Sequence, residues 1–165
     1  MEPSGVIIIN KPEGMTSHDV VNKMRRLFST RRVGHTGTLD PMATGVLPLL
    51  LGNAAKAQSI LPDSDKEYVA KLKFGITSDT LDITGTITSN TESSVKKNML
   101  LSVLEKFKGE QMQLPPMYSA IRKNGVRLYD LARQGIEVER EKREINIYEL
   151  ELLSFSEEDQ EAEIR

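Results

Sequence analysis

The chain has 165 residues, 38% of them apolar, with a formal net charge of −2, two histidines and no cysteine. One domain is the default at that length, and it can bury a real core. Disulfides, thiolate metal sites and thiol catalysis are excluded, His18 and His35 lack metal-site spacing, and no apolar run approaches the roughly 20 residues of a membrane helix.

Ile7-Ile8-Ile9 is too short for a signal-peptide core and has no cleavage pattern. The chain therefore reads as soluble and cytoplasmic. Its net charge argues mildly against a nucleic-acid binder, but the charge is segregated. Lys23, Arg25, Arg26, Arg31 and Arg32 form one basic region, and Arg122, Lys123, Arg127, Arg133, Arg140, Lys142 and Arg143 form another. Acids gather from Glu149 to Glu163. Such segregation can bind phosphates locally under a negative total. It is equally compatible with ordinary solvated surface.

Gly5 to Asn10 is an apolar, β-branched run that reads as a buried strand, and Lys11-Pro12-Glu13-Gly14 is a turn. Thr16 and Asp19 have capping-box spacing at the start of a helix. Val20, Val21, Met24, Leu27 and Phe28 recur on one face of that helix at its period. A basic linker, residues 29–33, follows.

Gly34 to Leu49 holds three glycines, two prolines and one carboxylate in sixteen residues. Glycine permits backbone angles closed to other residues, and Pro41 pushes Asp40 toward an extended conformation. The expectation is a rigid loop that holds Asp40 in one orientation, as a nucleophile or base requires. A structural loop with an Asx turn is the alternative.

Val46 to Leu51 reads as a strand interrupted by Pro48. Gly52-Asn53 is placed to cap a short helix from Ala54 to Leu61, stopped by Pro62. Lys66 to Phe74 alternates as a half-buried strand with Tyr68 at its start. Asp79 to Gly85 is rich in Asp and Thr but lacks EF-hand spacing and its terminal Glu. A short strand is expected at Thr86–Thr88. Val95 to Phe107 is an amphipathic helix with Val95, Met99, Leu100, Val103, Leu104 and Phe107 on its stripe and Gly109 as its stop. Asn124-Gly125 signals a tight turn, and a short helix from Leu128 to Gln134 closes at Gly135. Ile145 to Phe155 is strand-like, with a phase change near Tyr148-Glu149 that suggests a bulge or two-sided burial, and residues 160–165 begin another strand.

Gly-His-Thr-Gly-x-Leu-Asp-Pro-x-Ala-x-Gly-x-Leu-Pro, from Gly34 to Pro48, resembles the catalytic motif of the TruB family of tRNA pseudouridine synthases. Gly5 to Pro12, Asp65-Lys66-Glu67-Tyr68, Pro116-Met117-Tyr118-Ser119-Ala120 and Arg133 to Val138 agree with the family in order. The resemblance implies an α+β fold, with a central, mostly antiparallel sheet flanked by helices, over one catalytic domain at 1–165. It implies isomerisation of a T-loop uridine in tRNA to pseudouridine, with Asp40 as the catalytic carboxylate and Tyr68 stacked on the flipped base. His35 would hold the flipped nucleotide or simply bond the loop, and Lys11 would be structural or RNA-facing. A basic thumb-like loop near 115–143 would grip the T-arm. Arg122, Lys123 and Arg127 on it, together with Arg31 and Arg32, are the candidate phosphate contacts. No cofactor, metal or obligate protein partner is implied.

Family members continue with a strand and a Lys-Gly-x-Tyr-Ile-Arg-like segment whose arginine pairs with the catalytic aspartate, and many carry a C-terminal RNA-binding domain. Neither matches here, so the chain is expected to be a catalytic domain truncated at its C-terminal end. The alternatives are a tRNA-binding fragment that does not catalyse, a guide-RNA-dependent relative and a glycosidase-like hydrolase. The last needs two carboxylates flanking the bond, and only Asp40 has a motif context.

Overall fold

The computed structural model describes residues 3–61, 65–92 and 94–165, which form two compact units, Met1–Asp65 and Lys66–Arg165. The first unit contains β1 (Gly5–Lys11), α1 (Ser17–Leu27), β2 (Val33–His35), β3 (Gly45–Leu51) and a 3₁₀ helix, Gly52–Ile60. The three strands pair antiparallel in the order β1-β3-β2. In β3, Leu47, Leu49 and Leu51 meet Val20 and Val21 of α1 in the core, with Ile7, Ile9, Met24, Phe28 and Leu39 packed around them.

β1 is not buried on both sides. Val6 and Ile8 stay exposed while Ile7 and Ile9 turn inward, because α1 covers only one face of this sheet. Pro48 does not interrupt β3. It pairs with Ile8, and its carbonyl accepts from Thr36 N–H at 3.2 Å. Its missing N–H would face the β2 side just beyond the last ladder pair, His35↔Leu49, so the proline sits where the β2–β3 pairing ends. Leu27 leaves the expected apolar stripe as the exposed last residue of α1, and Phe28 in the cap packs inward. The expected helix after Gly52 is a 3₁₀ helix that begins at Gly52 itself and has no side-chain cap. Pro62, its expected stop, lies outside the described residues.

The second unit contains β4 (Ala70–Lys73), β5 (Ile76–Ser78), β6 (Ile87–Asn90), α2 (Lys97–Lys106), β7 (Gly109–Gln113), β8 (Arg122–Lys123), β9 (Val126–Arg127), α3 (Leu128–Ala132), β10 (Arg143–Ile147), β11 (Leu152–Ser156) and β12 (Glu161–Ile164). Every strand pairing among the described residues is antiparallel. β11-β12-β4 form a three-stranded sheet, and β10-β7, β5-β6 and β8-β9 form ribbons. Leu100, Leu104 and Ala162 centre the core, with Leu72, Phe74, Leu152 and Phe155 against them.

Tyr68 and Val69 precede β4 rather than belonging to it, and both are exposed, so only Leu72 and Phe74 realise the expected inward alternation. β6 runs from Ile87 to Asn90, a slip of about one residue from expectation. Of the α2 stripe only Leu100 and Leu104 are buried; Met99, Val103 and Phe107 are exposed. The expected single strand across 145–155 is two strands, β10 and β11, in different sheets. The phase change near Tyr148-Glu149 is thus a break between strands, and a bulge occurs instead between Leu152 and Ser154. Asn124 and Gly125 both have positive φ, 52° and 84°, as a type I′ hairpin requires. No helix among the described residues is long and apolar enough to cross a membrane.

Candidate active site

The loop from Thr36 to Thr44 leaves β2 and returns as β3, and Asp40 lies at its middle. Its backbone is held on both sides. Before Asp40, Leu39 N–H donates to Ser17 Oγ at 2.9 Å, and Ser17 Oγ approaches Leu39 O at 3.2 Å. After it, Pro41 O accepts from Gly14 N–H at 2.8 Å and from Lys11 Nζ at 3.3 Å. Asp40 O itself accepts from Ala43 N–H at 3.0 Å, which closes a turn over Pro41 and Met42. The Leu39 side chain packs against the core. The Asp40 carboxylate is exposed, with no hydrogen bond or ion pair among the described residues.

Lys11 does not face solvent. It is 0% exposed, and its ammonium donates to Pro12 O at 3.1 Å, Met15 O at 2.7 Å and Pro41 O at 3.3 Å. A buried ammonium is tolerable only when its three donors are satisfied, and here all three find backbone carbonyls. Lys11 therefore joins the β1–α1 turn to the Asp40 loop.

The start of α1 uses two adjacent hydroxyls differently. Thr16 caps its own helix: its Oγ1 accepts from Asp19 N–H at 3.0 Å, and Asp19 Oδ2 accepts from Thr16 N–H at 2.9 Å. The Thr16 hydroxyl and backbone bonds hold the Asp19 carboxyl below its ordinary value. Ser17, 3% exposed, is thereby free to reach Leu39. No sequence signal marks Ser17 or Gly14, because their partners lie more than twenty residues away along the chain.

His35 pairs with Leu49 at the end of β2. Its Nδ1 lies 2.5 Å from Gly37 O. A carbonyl only accepts, so Nδ1 carries the proton of this bond, and Nε2 takes no part in it. Arg31 and Arg32 are exposed just before β2, and Arg32 reaches Asn53 Oδ1 at 3.5 Å.

Tyr68 belongs to the second unit and is 60% exposed. The basic hairpin β8–β9 is in that unit too. Arg122 Nη1 donates to Gly125 O at 2.8 Å and Lys123 Nζ to Glu139 O at 2.5 Å. The Arg127 and Arg133 guanidinia lie 5.6 and 5.2 Å from the Tyr129 ring centroid, and Arg127 also donates to the Tyr129 hydroxyl. Among the described residues no group of His and acids is arranged to hold a metal ion.

Three comparisons bear on this arrangement. The family model "TruB family pseudouridylate synthase (N terminal domain)" matches residues 25–165. Curated proteins named tRNA pseudouridine synthase B are similar across almost all of the chain. That of Dechloromonas aromatica is 51% identical over 152 residues, 92% of this chain and 51% of its own length. That of Clostridium kluyveri is 49% identical over 151 residues, 92% of this chain and 52% of its own length. The chain thus spans about half the length of the curated relatives it matches. Among solved structures, a chain of a Cbf5-Nop10-Gar1 complex is 28% identical, with a TM-score of 0.68 over 97% of this chain and 38% of that one. A chain of an archaeal box H/ACA sRNP Nop10-Cbf5 complex is 26% identical, with a TM-score of 0.62 over 97% of this chain and 36% of that one. The α+β fold is that of the pseudouridine synthases, and on the family match and these identities the chain belongs to the TruB family of pseudouridylate synthases.

Proposed function

We propose that this chain carries the catalytic carboxylate of a tRNA pseudouridine synthase and isomerises a T-loop uridine. The observation that carries the reading is Asp40 itself: its peptide neighbours are tied down on both sides while its carboxylate is exposed. Family membership and the names of the relatives support it.

The reaction breaks the N1–C1′ bond of uridine and joins C5 to C1′. C5 then loses its proton and N1 gains one, so the product is an isomer and nothing is consumed. Asp40 acts at C1′ as a nucleophile, or removes the C2′ proton to give a glycal. Both routes require it ionised. Taking the uridine out of the stack costs a few kcal/mol. Stacking on exposed Tyr68 returns about 1–3 kcal/mol per base. His35 offers Nε2 to the flipped nucleotide, and Arg31, Arg32, Arg122, Lys123 and Arg127 supply cations to RNA phosphates. A second reading, tRNA binding without catalysis, is favoured by one observation: the Arg-Tyr-Arg stack of Arg127, Tyr129 and Arg133, where the basic hairpin meets α3, which builds a cationic surface independent of Asp40.

The test is tritium release from 5-³H-uridine in a T-arm stem-loop, with the parent chain beside Asp40→Asn and Tyr68→Ala. The expected result is release by the parent, none by Asp40→Asn at nearly unchanged RNA affinity, and a strongly reduced rate for Tyr68→Ala. Binding without release by the parent would favour the second reading, and full activity in Tyr68→Ala would remove the stacking role.

A further inference from the structure

We propose that Ser17 is a positioning residue for Asp40, acting through the Leu39 peptide. The inference rests on the reading of Asp40 above and assigns that site a residue outside both the sequence motif and the matched family segment, which begins at residue 25. Ser17 is 3% exposed, and its Oγ is 2.9 Å from Leu39 N and 3.2 Å from Leu39 O. The hydroxyl meets the donor and the acceptor of one residue, as a neighbouring strand would.

The alternative to a positioning role is that Ser17 serves its own helix. The geometry argues against that. Thr16 already caps α1 and closes the capping box with Asp19, so the helix start is satisfied without Ser17. Leu39 N–H is the last backbone donor before Asp40, and Pro41 has none. The one other backbone donor of this stretch, Asp40 N–H, makes no hydrogen bond among the described residues, so Leu39 N–H is the anchor on this side. On the far side, Gly14 and Lys11 hold Pro41 O. Losing the Ser17 anchor leaves only the packing of the Leu39 side chain to hold the chain before Asp40, so the carboxylate can shift about Pro41. A misplacement near 1 Å in a reacting group costs on the order of 10²-fold in rate.

The test compares Ser17→Ala, Ser17→Thr, Val20→Ala and the parent. Val20→Ala is a matched control, because it opens the same helix's core contact and leaves the Leu39 anchor in place. Each is measured for thermal stability, stem-loop affinity and single-turnover release of tritium. Ser17→Ala should lose on the order of 10²-fold in single-turnover rate with affinity within about twofold. Val20→Ala should lose stability while its rate stays near the parent's. Ser17→Thr, which restores the hydroxyl, should recover most of the rate. Amide exchange adds a readout that does not depend on turnover: the Leu39 amide should lose protection in Ser17→Ala while α1 amides keep theirs. A parent that turns over beside a Ser17→Ala variant of equal rate would overturn the positioning role alone. A parent that never turns over would overturn the reading of Asp40, and this proposal with it.

Discussion

At the scale of single residues, the backbone contacts of a side chain matter here as much as its chemistry. Lys11 looks like a cation available to RNA, yet its ammonium is fully buried against three carbonyls. Gly52 shows the same point without a side chain. Its φ is +57°, and an added Cβ would overlap the Pro3 carbonyl oxygen and lie 3.2 Å from Ser4 Cα. Gly135 has a φ of +71° but open space around its missing Cβ. Gly135→Ala should therefore show only the left-handed backbone penalty, about 1–2 kcal/mol. Gly52→Ala adds a clash with main chain that cannot rotate away, and should cost clearly more. Urea midpoints of the two variants check this; equal losses would show that the Pro3 segment gives way.

At the scale of elements, the caps differ in how local they are. The cap of α1 is written in four consecutive residues, Thr16 to Asp19. The end of α3 is also local: Gly135 N–H donates to Ala132 O at 2.9 Å and Ile136 N–H to Leu131 O at 3.0 Å, a Schellman closure. The start of α2 is not. Lys96 in the cap position makes no side-chain cap bond, and the β11–β12 turn instead braces the residues that lead into the helix. Gln160 Oε1 accepts from Val95 N–H at 2.8 Å, and Glu157 Oε2 accepts from Lys96 Nζ at 2.8 Å. The Lys96 bond, with help from the Lys97 backbone, holds the Glu157 carboxyl below its ordinary value. A carboxyl lowered in the native state stabilises fully above the ordinary glutamate value, and that contribution is lost as pH falls through the lowered native value. Lys96→Met should therefore be less stable than the parent near neutral pH, and the gap should close in acid. Thermal melts of both proteins between neutral and acidic pH measure it. A gap independent of pH would mean that the pair contributes through packing alone.

At the scale of the whole molecule, each unit is built around its own core. In the first, Leu49 is 0% exposed and lies in the central strand, opposite Ile7 on one side and His35 on the other. That strand follows directly from the Asp40 loop, so core packing and site support share one element. Leu49→Ala should cost about 2–5 kcal/mol by cavity formation. Equilibrium urea denaturation is the check, and a loss under 1 kcal/mol would mean that the sheet collapses around the gap.

The sequence by itself determined what depends on neighbours along the chain: the capping box of α1, the Asn124-Gly125 hairpin, the helix closed by Gly135, the rigid loop around Asp40 and, by its fifteen-position motif, the family. These features are legible because φ limits, turn geometry and capping bonds act over four or five residues. Tertiary structure decided what depends on distant partners. It decided which face of β1 is covered, that Pro48 fits inside β3, that residues 145–155 divide between two sheets, and that Glu157 and Gln160 brace the residues leading into α2. It also decided that Lys11 and Ser17 turn away from solvent to hold the peptides on either side of Asp40. The physical reason is common to all of these. A buried donor, acceptor or charge must be satisfied, and the chain supplies the partner from wherever folding has brought it.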